Sequence, residues 1–228
     1  MSTGREASRE EWADRIAALD QPQQPRKEPI TVGRIVTTAL RMVETEGFDA
    51  LTMRRVAAAL GTGPASLYAH VRNKAELDDL LIGALSRNVV LPAPDPARWR
   101  EQVLGVLRQL RDEFLRYPGI SRAALSAPPT NLDTLRLTEG LLAILLAGGV
   151  APRVAAWTVD AALLYVSAYT FEASLRAGGV DREEVLARLR MLPASRFPHT
   201  VAHAEDLNSG GAHERFDFAL ELMVRGIA

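Results

Sequence analysis

The stretch GTGPASLYAHVRNKAEL, residues 61–77, interrupts a sequence that otherwise favours continuous helices. Gly61, Gly63 and Pro64 end one short apolar helix and begin another after a turn of only a few residues. Pro64 suits a first helical turn, because its fixed φ is helical and its missing N–H would have no partner there. The small residues of such a turn let the second helix pack across the first, as in a helix-turn-helix motif.

The residues on either side complete a compact three-helix unit. Thr31 is a favourable N-cap for a helix that ends at Gly47, and Thr52 is one for the helix that ends at Gly61. Asn73 with Glu76 resembles a cap for a fourth helix. The apolar residues predicted to hold the two motif helices together are Val56, Ala57, Leu60, Leu67 and Val71.

The outward residues of these helices suit contact with DNA in its major groove. The hydroxyls of Ser66 and Tyr68 can bond phosphates or base edges, and His70 can donate to a phosphate. Lys74 lies at a helix N-terminus, where phosphate is favoured, and Arg54 could bond guanine with its fork of donors. The alternative is that these are ordinary core helices with a polar outer face.

The distribution of charge along the chain supports DNA binding only in combination with the helix-turn-helix motif. The chain has 228 residues and a net charge of −1, but residues 30–75 contain six Lys or Arg against three Asp or Glu, a local charge of +3. A surplus of this size also fits an ordinary solvated surface.

The rest of the sequence predicts an all-α protein, since no segment shows the alternation typical of strands. We expect three parts: an N-terminal extension over 1–29 (a short helix and a Pro/Gln linker), a helix-turn-helix domain over 30–90 and a larger helical domain over 97–228. The Pro-rich LPAPDP at 91–96 is the predicted boundary. The extension could dock on a domain or lie as an arm near DNA. Residues 193–212 are predicted to be a mobile loop.

Composition narrows the class of protein. The absence of cysteine excludes disulfides and thiolate chemistry. We expect no membrane segment, because no apolar run approaches the roughly 20 residues that a span requires. The N-terminus lacks an apolar secretion signal, which predicts a cytoplasmic protein. No nucleophile triad, phosphate loop, paired carboxylate site or HExxH motif is recognisable, so we expect neither an enzyme nor a bound cofactor or metal.

Residues 31–81 resemble the tetracycline-repressor (TetR) family of bacterial transcription factors. The residues that carry the resemblance are ALRMVETEGFDALTMRRVAAALG (39–61) and GPASLYAHVRNKAELDDLL (63–81). By position, the resemblance implies groove or phosphate contacts from Thr52, Ser66, Tyr68, His70 and Lys74, and base recognition by Arg54. It also implies that Pro64 and Ala65 form the exposed start of the reading helix, where they could contact a thymine methyl group.

The family resemblance further implies a homodimer on double-stranded operator DNA, because one motif covers one half-site. The small residues of the helix over 152–177 and the apolar faces of the C-terminal helix, where Phe216, Leu220, Met223 and Ile227 share one face, fit a dimer interface. The alternative is that both helices are buried within one subunit.

The family also implies a small-molecule effector between the helices of the larger domain. We expect an apolar organic effector, since the segments SRNVVLPAP and GISRAALSAPP lack the histidines with which tetracycline-binding relatives hold a drug–magnesium complex. The predicted cavity residues are Val106, Leu110, Phe114, Leu141, Val159 and Leu163, with Asp160 and Tyr165 as polar groups. Plain core packing is the alternative for each.

The sequence thus predicts a ligand-responsive transcriptional repressor that binds a palindromic operator as a homodimer and is released by a small apolar effector. The alternative function is a helical dimeric binding module controlled by a protein partner, without a small-molecule effector.

Overall fold

The computed structural model describes Trp12, Ala13, Ile16 and residues 29–126, 130–176, 181–211 and 213–227. Within these residues every regular element is a helix, which confirms the predicted all-α class. The residues from Thr31 onward form one compact unit, and Met1–Ile30 form another. In the latter, Trp12, Ala13 and Ile16 are helical and exposed, whereas the predicted Pro/Gln linker lies outside the described residues.

The helix-turn-helix head begins where the sequence predicts. The Thr31 hydroxyl accepts from the Arg34 amide at 3.2 Å, and the Thr52 hydroxyl accepts from the Arg55 amide at the same distance. Gly47 adopts φ 81°, a left-handed conformation that ends the first helix. The helices of the head are α1 (Val32–Glu46), a 3₁₀ turn (Phe48–Ala50), α2 (Met53–Ala59) and α3 (Pro64–Tyr68).

Helix α4 (Lys74–Asn88) joins the head to the larger domain. The Asn73 side chain accepts from the Glu76 amide at 2.9 Å, so the predicted N-cap is confirmed. At the other end, the Arg136 guanidinium donates to the carbonyl oxygens of Ser86 and Val89, both at 3.0 Å. Those bonds satisfy carbonyls that a helix C-terminus leaves without partners.

The larger domain packs its helices around a core that includes Leu107, Ile120, Leu137, Ile144 and Val166, each at most 1% exposed. Its helices are α5 (Trp99–Leu115), α6 (Ser121–Ser126), α7 (Leu132–Ala147), α8 (Pro152–Arg176), α9 (Arg182–Arg190), α10 (Pro198–Ala202), α11 (Ala204–Asn208) and α12 (Glu214–Arg225). Helix α8 packs against α5, α6, α7 and α12. It is therefore the central helix of this domain.

Two predictions differ from the structure. The predicted loop at 193–212 contains the short helices α10 and α11, and Pro198 occupies the first turn of α10. The expectation that no segment could span a membrane is also too strong, since α8 is long and apolar enough by length and composition. Ala155, Val159 and Ala162 of α8 are nevertheless buried against the surrounding helices, as in the core helix of a globular domain.

Candidate nucleic-acid interface and ligand cavity

Helix α3 buries one residue and exposes its others. Leu67 is fully buried, and Val71, just beyond the helix, is fully buried as well. Burying two such side chains stabilises the head by about 1.5–3 kcal/mol each. The predicted DNA-contacting residues of this segment are all exposed, namely Pro64, Ala65, Ser66, Tyr68 and His70. Leu67 and Val71 therefore pack α3 against the core of the head, and the exposed residues form a continuous outer face.

The two arginines of α2 differ in their partners. Arg55 is paired with Glu46 at 2.5 Å and donates to the Ala50 carbonyl at 3.1 Å. Arg54 is exposed, and no carboxylate of the described residues pairs with it. Thr52, the third predicted contact in this region, is exposed and caps α2. Arg54 is thus the arginine of α2 that can reach outward.

Lys74 begins α4 and makes two contacts within the protein. Its ammonium is ion-paired with the Asp78 carboxylate one turn further on. The same nitrogen lies 4.2 Å from the centroid of the Phe48 ring, within the range of a cation–π interaction. The side chain is 34% exposed, so it remains accessible at the edge of the head.

The head and the larger domain meet at the 3₁₀ turn. The Phe48 amide donates to the Pro118 carbonyl oxygen at 2.9 Å. Beside it, Arg122 of α6 pairs with Asp49 at 2.5 Å, and its guanidinium carbon lies 5.1 Å from the Phe48 ring centroid. Phe48 therefore links the start of α4 to the start of α6.

A cavity of about 410 Å³ lies among α4, α5, α6, α7 and α8. This volume is within the range of small-molecule sites. Its wall is mainly apolar, and the residues with large apolar side chains on it are Ile82, Leu110, Phe114, Leu125, Leu137, Val159, Leu163 and Leu164.

The cavity brings together five of the eight residues predicted for an effector site, namely Leu110, Phe114, Val159, Asp160 and Leu163. The structure puts the other three elsewhere. Val106 and Leu141 are each 1% exposed and fill the core, so the alternative of plain packing applies to them. Tyr165 stacks on Phe216 of α12 with ring centroids 5.4 Å apart, because it lies on another side of α8.

The sequence analysis named no residue of α4 or α6 as part of the cavity wall, and on α7 it named Leu141 in place of the residues that line the cavity. Residues of α4, α6 and α7 line the cavity, among them Asp78, Asp79, Ala123, Thr134 and Thr138. A signal for α4 is present in the sequence: the apolar residues of KAELDDLLIGALSRN are spread around the helix instead of forming one stripe, as in a helix covered on several sides.

The polar groups on the cavity wall differ in their partners. Asp79 accepts from the Thr130 hydroxyl at 2.7 Å. Burial raises the pKa of Asp78, although Lys74 and Arg122 act to lower it. Thr134 is 8% exposed, and its hydroxyl oxygen has no hydrogen-bond partner among the residues that the structure describes. A buried hydroxyl without a partner carries a desolvation cost.

Helices α8 and α12 carry exposed apolar residues on their outer faces. In α8 these include Trp157 and Leu164, which are 62% and 57% exposed and two turns apart on one face, and Leu164 also borders the cavity. In α12 they are Phe218 and Leu222, which are 65% and 56% exposed. Phe218 shares an open depression with Ala168 and Glu172 of α8. The two helices therefore present apolar surface together.

The faces predicted for a dimer interface need one correction. Phe216 and Leu220 are fully buried within the single chain, because they pack α12 onto the larger domain. Ala155 and Ala162 of α8 are likewise buried inside. For these residues the predicted alternative, burial within one subunit, describes the structure.

Among the residues that the structure describes, no group of three or more His, Asp or Glu side chains is arranged to hold a metal ion.

Comparison with known protein families identifies the family to which this chain belongs. Residues 35–78 match the model of bacterial regulatory proteins of the tetR family, and residues 91–228 match the tetracyclin repressor-like C-terminal domain. The chain belongs to the TetR family. It is therefore a DNA-binding transcriptional regulator of helix-turn-helix type, and this family is one of regulators rather than enzymes.

Individual TetR-family relatives extend over most of the chain. The HTH-type transcriptional repressor DrrR1 of Streptomyces coeruleorubidus is 29% identical over 224 residues, which cover 91% of this chain and 80% of the relative. ActR from Streptomyces coelicolor, whose crystal structure in complex with (S)-DNPA is known, is 38% identical in sequence to this chain. The two structures superpose with a TM-score of 0.82 over 88% of this chain and 98% of ActR. A second ActR structure contains actinorhodin, with 38% identity and a TM-score of 0.81 over 87% of this chain and 95% of ActR.

Proposed function

We propose that this protein is a repressor that binds a palindromic operator as a homodimer and is released when a small, largely apolar organic effector occupies the cavity among α4–α8. One observation carries the proposal. Helix α4 contributes Lys74 to the edge of the helix-turn-helix head and Asp78, Asp79 and Ile82 to the cavity wall. A ligand in the cavity therefore contacts the helix that also borders the head.

The DNA-binding part of the proposal, assigned to residues 30–90, rests on the exposed face of α3 and on Arg54. Tyr68, Ser66 and His70 supply hydrogen-bonding groups for phosphates or base edges. Pro64 and Ala65 supply no side-chain donors, so they favour contact with a thymine methyl group. Thr52 and Lys74 would meet the DNA backbone on either side.

The homodimer rests on the exposed apolar residues of α8 and α12. Four large apolar side chains, Trp157, Leu164, Phe218 and Leu222, are each more than half exposed in the single chain. Exposed apolar surface of this kind is typical of a protein–protein interface. Pairing through these helices would supply the second motif, and a two-fold dimer reads half-sites about one helical turn apart.

Release by the effector rests on the cavity that α4 forms with the helices of residues 97–177, on its apolar lining and on the ligand complexes of ActR. Occupancy alone does not release DNA. The effector has to bind the DNA-free arrangement more tightly than the DNA-bound one, and a coupling of about 1–3 kcal/mol is typical. On this proposal the protein acts in the cytoplasm, where the operator is.

The proposal is tested with the DNA upstream of the protein's own gene and its neighbours. We expect the protein to protect a palindromic site there, with affinity that falls steeply as salt rises. Extracts of the cells that make this protein are then screened for a compound that releases the protein from this DNA. Leu163→Trp, which fills the cavity, should keep DNA binding and lose the release.

The two parts of the proposal fail in different ways. If Leu163→Trp is released as the wild type is, the cavity is not the effector site. If no DNA is protected at low salt, the protein is better described by the alternative, a helical dimeric module under the control of a protein partner.

A further inference from the structure

The helix-turn-helix head is attached to the larger domain at two places. Among the described elements, α1, the 3₁₀ turn, α2 and α3 pack mainly on one another and on α4, and α4 continues from the head into the larger domain. The second place is the 3₁₀ turn, which contacts the segment between α5 and α6. A head attached through α4 alone could turn about that helix. A second attachment away from the helix axis fixes the direction of the head.

The second attachment is built around Phe48. Its amide donates to the Pro118 carbonyl oxygen at 2.9 Å, and the residue is only 7% exposed. Gly119 has φ 80°, and a Cβ added to it would lie 3.3 Å from the Cβ of Phe48. Any larger residue would be both strained and crowded at this position, so glycine there lets the head approach the larger domain closely.

Arg122 of α6 completes this attachment from the larger domain. Its guanidinium pairs with Asp49 at 2.5 Å, and its guanidinium carbon lies 5.1 Å from the centroid of the Phe48 ring. The ammonium of Lys74 lies 4.2 Å from the same centroid. Both distances are within the range of a cation–π interaction. The Phe48 ring therefore contacts cations from two helices, and of these two cations Arg122 is the one that the larger domain supplies.

From this geometry we infer that Arg122 is a positioning residue, which fixes the direction of the head and thereby sets the spacing of half-sites that the dimer accepts. The inference rests on the proposed function, because spacing has a meaning only for a homodimer on a palindromic operator. One added base pair turns the second half-site by about 35° and moves it by about 3.4 Å. Two heads held in fixed directions cannot follow this change, whereas heads that turn about α4 can.

The test compares three operators: the site protected upstream of the gene, and the same site with one base pair added or removed between its half-sites. Each is titrated with the wild type and with Arg122→Ala. A duplex that contains one half-site measures binding by a single head at low salt. We expect the wild type to lose about tenfold in affinity when the spacing changes, and Arg122→Ala to lose about threefold or less. Both proteins should bind the single half-site equally.

Two further variants separate positioning from a general effect on stability. Arg122→Lys keeps a cation for Asp49 and for the ring, so it should restore the discrimination between spacings. Arg116→Ala is the matched control, because Arg116 pairs with Glu113 at 3.3 Å and lies 5.6 Å from the centroid of the Tyr117 ring, all within the larger domain. It should discriminate as the wild type does. Exposed ion pairs contribute little to stability, so we expect all three variants to keep the helicity of the wild type.

The outcomes separate this inference from the proposal on which it rests. The inference is wrong if the wild type binds all three operators equally, or if Arg122→Ala loses as much affinity as the wild type when the spacing changes. It is also wrong if Arg116→Ala relaxes the spacing as Arg122→Ala does, or if Arg122→Lys restores nothing. In each case the wild type still binds the palindrome, and the proposed function stands. If the wild type binds the palindrome no more tightly than the single half-site, the homodimer part of the proposed function falls together with the inference.

Discussion

The Lys74 ammonium is ion-paired with the Asp78 carboxylate, and the two residues belong to different surfaces of the protein. Lys74 begins α4 at the edge of the helix-turn-helix head, whereas Asp78 lies one turn further on and forms part of the cavity wall. The positive charge that, on the proposed function, Lys74 offers to DNA is therefore partly neutralised by a residue of the cavity wall.

Replacing Asp78 should strengthen binding to DNA. Asp78→Asn removes the counter-charge of Lys74 with little change in volume, so Lys74 becomes available to a phosphate. We expect tighter operator binding and a salt dependence steeper by about one unit of slope, measured by titrations at several salt concentrations. Asp133→Asn is the control, because it breaks the Arg87–Asp133 pair of 2.6 Å at the other end of α4. Equal effects of both variants would contradict the assignment.

Asp78 should also make stability depend on pH. Burial raises the pKa of Asp78 above its ordinary value. An acid whose pKa is higher in the folded state costs stability when ionised, and this cost disappears as pH falls through the folded-state pKa. Asp78→Asn should therefore exceed the wild type in free energy of unfolding at neutral pH, by a margin that shrinks towards about pH 4. Urea denaturation at several pH values measures it, and a constant margin would refute the argument.

The two neighbouring arginines of α2 should separate DNA binding from stability. Arg54→Ala should weaken operator binding by about 1–3 kcal/mol and leave the melting temperature unchanged. Arg55→Ala removes the contacts with Glu46 and the Ala50 carbonyl, and should cost less than about 1 kcal/mol of stability, since this ion pair is exposed. Thermal unfolding and operator titration are measured on both variants. A larger loss of DNA binding from Arg55→Ala would reverse the assignment.

Two positions on α12 should distinguish the interface from the core. Leu222→Arg puts a charge on an exposed apolar position, so it should give folded monomers. Leu220→Arg puts one at a fully buried position, which should unfold the domain, because an unpaired buried charge is strongly unfavourable. Light scattering gives the mass and circular dichroism the helicity. Folded dimers of Leu222→Arg would place the interface elsewhere.

The local sequence was sufficient to predict where the helices of the helix-turn-helix head begin and end. The side chains of Thr31, Thr52 and Asn73 cap their helices, and Gly47 and Pro64 take the conformations that their residue types favour. Each of these features depends on neighbours within a few residues, so no knowledge of tertiary packing was required.

Periodicity was less informative in the larger domain. It identifies which residues of a helix are apolar, but a helix packed on several sides uses different apolar residues for different neighbours. Leu110 therefore lies on the cavity, whereas Val106, one turn earlier on the same helix, lies in the core. The distribution of apolar residues around α4 indicates a helix covered on several sides, but it does not tell which helices cover it, because that depends on contacts between distant segments.

Because α4 belongs to both the head and the cavity wall, any coupling between operator and effector has to be reciprocal. Whatever factor the effector removes from operator affinity, the operator removes from effector affinity. A dissociation constant measured on the free repressor will therefore understate the effector concentration that opens an occupied promoter. On the proposed function, effector would occupy the free repressor at lower concentrations than the DNA-bound repressor, so most of the free pool would be occupied before the promoter responds.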